Sequence, residues 1–132
     1  MITLAVIVLL ISTRPLYSSL KAGFCINFLG MKFILIYITH ANLPSAKKLC
    51  NQLLKDRLIA CVNYFPIESA YWWKGTIEES KEIVSLVKTN SKNWLKVQNI
   101  VTKAHPYETP CIMKVTVEAN TAYGKWINEM TS

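Results

Sequence analysis

A chain of 132 residues that is 52% hydrophobic has the material for one domain with one core. Its formal net charge is +7, but the lysines are dispersed and Arg57 is the only arginine after Met31, which excludes the concentrated basic stripe of a nucleic-acid surface. Cys25, Cys50, Cys61 and Cys111 form no CxxC pair, which excludes a zinc ribbon and a dense disulfide framework and is compatible with small buried hydrophobes in a reducing compartment.

The first thirty residues read differently from the rest. Ile2 to Ile11 is apolar apart from Thr3, yet a helix that spans a bilayer needs roughly 20 such residues. The run has the length of a secretory h-region, but no Lys or Arg precedes it and Arg14-Pro15 follows it. The organisation expected is a hydrophobic leader or non-native extension over 1–30 and one folded domain over 31–132. Met31 is then the functional start, the compartment is the cytoplasm, and no membrane attachment is expected. Export or membrane attachment through residues 1–30 is the alternative.

Phe33 to Thr39 is a short run of β-branched and aromatic residues, which predicts a buried strand. Pro44 suits the first turn of a helix, and Ala46, Leu49, Cys50, Leu53, Leu54 and Leu58 recur on one face of it. Ile59 to Phe65 reads as a strand. Pro66 is expected to interrupt it at an edge or a bulge, because proline donates no ladder hydrogen bond. Ser69 to Lys74 resumes the strand, and Gly75 marks a turn or bulge. Thr76 to Lys88 then returns, with Ile83, Ser85 and Val87 on one side and Val84, Leu86 and Lys88 on the other. Ser91 is placed to cap a second helix that presents Trp94, Val97, Val101 and Ala104, and Pro106 ends it near His105. Cys111 to Val117 alternates as a strand. Tyr123, Trp126, Ile127 and Met130 define a short closing helix.

This order is that of an α+β, ferredoxin-like split βαβ sandwich with a long β-hairpin and a C-terminal helix. Two helices cover one face of the sheet. Apolar residues on both sides of the strands imply that other subunits cover the second face.

Chemistry-bearing motifs are few. There is no GxSxG elbow, Walker loop or GxGxxG, and a non-enzyme is expected. Glu78, Glu79 and Glu82 read as solvated strand residues or partners of lysines. His105 and Glu108, with Cys61, Cys111 and His40 as additions, are the candidate metal ligands, and imidazole with thiolate suits copper or zinc. No pair among them has a diagnostic metal spacing, and a lone histidine before proline reads first as a loop-end residue held by hydrogen bonds. Tyr71-Trp72-Trp73 puts large aromatics on both strand faces, which implies burial on both, one of them between subunits.

Four segments resemble the CutA divalent-ion tolerance proteins: Leu58-Ile59-Ala60-Cys61-Val62-Asn63, Tyr71-Trp72-Trp73-Lys74-Gly75-Thr76-Ile77-Glu78-Glu79, Ile83 to Thr89, and His105-Pro106-Tyr107-Glu108-Thr109-Pro110. The resemblance implies a protomer assembled as a tight homotrimer, like the PII signalling proteins, and a non-enzymatic role in tolerance of divalent ions. It implies copper or another divalent cation as a ligand, with His105 as the metal candidate. Some bacterial members carry a second histidine where this chain has Ala104, and a cysteine where it has Ile38. Trp73, Lys88, Tyr107 and Glu108 are candidates to line a cleft between protomers. The alternative function is a PII-like signalling module that recognises a partner or a small anionic ligand through Lys88, Tyr107 and Glu108.

Overall fold

A computed structural model describes residues 30–131 of the chain. Apart from Gly30, the proposed leader lies outside the described residues. The elements are β1 (Met31–His40), α1 (Leu43–Lys55), β2 (Cys61–Trp73), β3 (Thr76–Thr89), α2 (Trp94–Ala104), β4 (Ile112–Ala119) and α3 (Thr121–Met130). The strands form one antiparallel sheet in the order β2-β3-β1-β4, the ferredoxin-like arrangement expected from the sequence.

Alternation on the strands sorts the two faces. Ile34, Ile36 and Ile38 point from β1 to one side, and Cys50 and Leu53 of α1 and Val97 and Val101 of α2 cover them. All seven are at most 1% exposed. Phe33, just before Ile34, lies on the opposite face, where its ring meets Tyr123 of α3 edge-on at 6.0 Å. Gly124 lets α3 approach β1, since a Cβ there would stand 2.1 Å from the Cβ of Met31.

The ends of α1 are chemically explicit. Asn42 caps it, accepting from the Ser45 amide at 2.9 Å, and Pro44 occupies the first turn. Arg57 adopts a left-handed conformation, φ 52°, which stops the helix before Leu58. The Leu58 amide returns to the Leu53 carbonyl and that of Arg57 to Leu54, so orphan carbonyls are satisfied in a Schellman arrangement. Leu58 is buried, as its apolar spacing predicts, but it lies past the helix end.

Two further expectations are corrected. Pro66 does not interrupt the strand: β2 pairs with β3 without a break from Cys61–Lys88 to Trp73–Thr76, Pro66 standing opposite Ile83. An edge strand has one hydrogen-bonded side only, so a missing N–H is tolerated on the other. Ser91 does not cap α2. Asn90 accepts from the Lys92 amide at 3.0 Å and starts a 3-10 turn over Ser91–Asn93, from which α2 continues. Asn93 is buried and ties that turn to the Leu58 carbonyl.

The hairpin overhangs the sheet. β3 pairs with β1 only from Ile83 to Thr89, so Thr76–Glu82 pairs with β2 alone. Lys74 and Gly75 form the two-residue turn, both at positive φ, which matches the right-handed twist of the flanking strands. The aromatics near this tip are not buried within the chain. Trp72 is 72% exposed and its cross-strand neighbour Ile77 62%.

Candidate functional site

The overhang and the end of β1 frame a cleft of about 840 Å³. β2 contributes Ser69, Tyr71 and Trp73, β3 contributes Glu82, and β1 contributes Tyr37 and Thr39. The loop after α2 closes it with Tyr107, Glu108 and Thr109, followed by Cys111 and Met113. The site thus sits where the sheet loses its central strand and side chains of several elements converge.

Glu82 is its centre. The residue is 8% exposed. Ser69 Oγ donates to its Oε2 at 2.7 Å, and the Tyr107 hydroxyl donates to its Oε1 at 3.1 Å. Burial, then this hydrogen bond and the nearby negative charge, push the Tyr107 phenol up to about 12. Burial, followed by the influence of Cys111 and Glu82, also raises Tyr37. Burial and then Glu82 raise Cys111, so its thiol is not an activated nucleophile. The cleft holds neutral phenols and a neutral thiol around one buried carboxylate.

His105 supports this site from behind. Its Nε2 donates to the Thr39 carbonyl at 2.7 Å, and its Nδ1 accepts from the Tyr107 amide at 3.2 Å. Both ring nitrogens are therefore engaged by the backbone, and the ring fixes the position of Tyr107 against the end of β1. His40 lies 5.6 Å from it, ring to ring, and its Nε2 is 2.8 Å from Ser85 Oγ.

These contacts decide the fit of a metal. A metal at His105 would have to displace a short bond to Thr39 or the Tyr107 amide. Among the described residues, no three His, Cys, Asp or Glu side chains come together as a metal site. The arrangement does not fit a copper or other divalent-cation centre on His105 within one chain.

The other sequence candidates separate. Trp73, Tyr107 and Glu108 line the cleft. Lys88 does not: it is buried six residues along β3 from Glu82, where its amine donates to Asn63 Oδ1. Sequence reasoning missed Glu82, Ser69 and Tyr37. For Glu82 the signal was present, because it is in phase with Val84 and Leu86 on β3, and a carboxylate in an apolar phase marks a buried one.

No helix among the described residues is long and apolar enough to cross a membrane. The family model of the CutA1 divalent ion tolerance protein matches residues 34–130. The divalent-cation tolerance protein CutA of Pyrococcus horikoshii is 39% identical over 99 residues, which are 74% of this chain and 97% of that protein. Human protein CutA is 36% identical over 97 residues, covering 72% of this chain and 54% of the human one. Among solved structures, the periplasmic divalent cation tolerance protein CutA of Archaeoglobus fulgidus superimposes with a TM-score of 0.73 at 39% identity, over 77% of this chain and 100% of that one. CutA1 of Oryza sativa gives a TM-score of 0.74 at 28% identity, over 78% and 96%. With the fold, the motif order and the matched span in agreement, this chain belongs to the CutA1 divalent ion tolerance protein family.

Proposed function

We propose that the protein is a non-enzymatic homotrimer of the cytoplasm that contributes to tolerance of divalent ions. The observation that carries the assembly is the second face of the sheet. On it Met113 is 52% exposed, Val115 57% and Phe65 38%, while the opposite face is closed by α1 and α2. Exposed apolar side chains on one sheet face mark an interaction face, and copies of the same chain arranged in a closed ring cover it on every protomer. Free thiols at Cys50, Cys61 and Cys111 support a reducing compartment. The family and the names of the relatives support the tolerance role.

Metal contact, in this reading, does not run through the His105 ring. Calorimetry of copper and zinc binding to wild type and His105→Ala checks this, and equal affinity is expected. A tenfold or greater loss in the variant, worth about 1.4 kcal/mol, would restore His105 as a ligand. The role itself is tested by expressing the chain in cells that lack their own relative. Growth under copper or zinc stress is expected to recover, and no recovery at normal protein levels contradicts the proposal.

A second reading, a PII-like ligand-binding module, is favoured by the cleft around Glu82. The cleft does not favour the anionic ligand expected from the sequence, because Lys88 lies outside it.

A further inference from the structure

The charge of the cleft runs against the charge of the molecule. The chain carries a net +7. Yet the residues around the cleft include Glu68, Glu82 and Glu108, with no lysine or arginine among them. The ion pairs among the described residues are Lys32–Glu118 and Lys125–Glu129, neither involving Glu82. Glu82 is nine-tenths buried, and no lysine or arginine among the described residues pairs with it. Its two hydrogen bonds, from Ser69 and Tyr107, fill only part of its capacity, since a carboxylate offers about four acceptor positions. The remaining positions and the missing countercharge call for a cation from outside.

The walls define its kind. A compact metal ion needs several ligands at once, and no three His, Cys, Asp or Glu side chains converge among the described residues. The cleft offers instead one deep carboxylate and an aromatic lining from Tyr37, Tyr71, Trp73 and Tyr107. Aromatic faces attract ammonium and guanidinium groups and also pack against apolar bodies. Trp73 already holds a cation in this way: Lys74 Nζ stands 5.5 Å from its ring centroid. The volume, about 840 Å³, falls within the range of small-molecule pockets.

We propose that the cleft binds an organic cation, an ammonium or guanidinium group on an apolar body. Glu82 pairs with the charge, Ser69 and Tyr107 position Glu82, and Tyr71 and Trp73 hold the body. This rests on the reading of the protein as a ligand-binding module, with the cleft open at the edge of the face that the copies cover, and it reverses the sign of the ligand.

The test uses three probes of one shape on the full chain: 2-phenylethylamine, 2-phenylethanol and phenylacetate. Affinities are measured by calorimetry at neutral pH and low salt, with the mass of the assembly determined in the same samples. The amine is expected to bind at least about tenfold more tightly than the alcohol, and phenylacetate more weakly than either. Glu82→Gln is expected to erase the advantage of the amine and leave the alcohol unchanged. Tyr71→Leu, at a position 43% exposed, keeps the test open if Glu82→Gln fails to fold by circular dichroism. It is expected to weaken the amine at least about threefold. Equal binding of all three probes, or no binding of the amine, overturns the proposal. That includes the case in which a neighbouring copy fills the cleft. Amine preference in a protein that is not a trimer would instead overturn the assembly, so the two failures are distinct.

Discussion

Replacing Ile36 by alanine is expected to cost about 2–5 kcal/mol of folding stability, a large share of the roughly 5–15 kcal/mol of a typical domain. Ile36 is fully buried in the middle of β1. Its strand is held on both sides, by Val87 of β3 and Lys114 of β4. The side chain belongs to the cluster formed with Cys50, Leu53, Val97 and Val101. A cavity beneath a central strand cannot close without breaking one ladder or moving a helix, so the upper part of the range applies. Urea denaturation at fixed protein concentration should show a lower midpoint with an unchanged slope. A loss below about 1 kcal/mol would mean that α1 and α2 settle freely onto the sheet.

Acidification is expected to destabilise the fold through His40. Burial first, and then His105, hold its pKa down at about 4, against an opposing influence of Glu82. In the unfolded chain the imidazole titrates near its ordinary value of about 6.5. The unfolded state therefore takes up the proton first as pH falls. The contribution is complete above pH 6.5 and is lost progressively down to about 4. At about 1.4 kcal/mol per pKa unit, the loss is on the order of 3 kcal/mol. His40→Gln removes the titrating group. The difference in stability between variant and wild type should thus change with pH in this window. Parallel curves for the two proteins would contradict the burial of a neutral His40.

The pattern of success in the sequence has physical reasons. Apolar periodicity identified the strands and helices because the core is built from it: Ile34, Ile36 and Ile38 alternate, while Cys50, Leu53, Val97 and Val101 recur at helical spacing. Boundaries were less legible. Arg57 ends α1 by a backbone conformation that its side chain does not announce. Pro66 is expected to break its strand at an edge or a bulge; the strand is at the edge, but it runs through unbroken. The cleft was half legible. Trp73, Tyr107 and Glu108 stand out in the sequence, and they line this cleft of the single chain. Lys88 shares a face of β3 with Glu82 but lies six residues away, and strand phase says nothing of distance along the strand. His105 drew attention as a ligand, whereas its neighbours use it as a brace. Such a role depends on a contact with Thr39, distant in sequence, and no local motif encodes it.

The exposed half of the molecule ties these observations together. Trp72 and Ile77 at the hairpin tip, and Met113 and Val115 on the open sheet face, are apolar and uncovered within the chain. The most direct measurement is the mass of the purified protein by light scattering, for wild type and for Val115→Glu. Val115 is 57% exposed, so the substitution spares the core of the protomer. Three times the single-chain mass is expected for wild type, and a smaller species for the variant. A monomeric wild type, or an assembly indifferent to a charge at Val115, would contradict it.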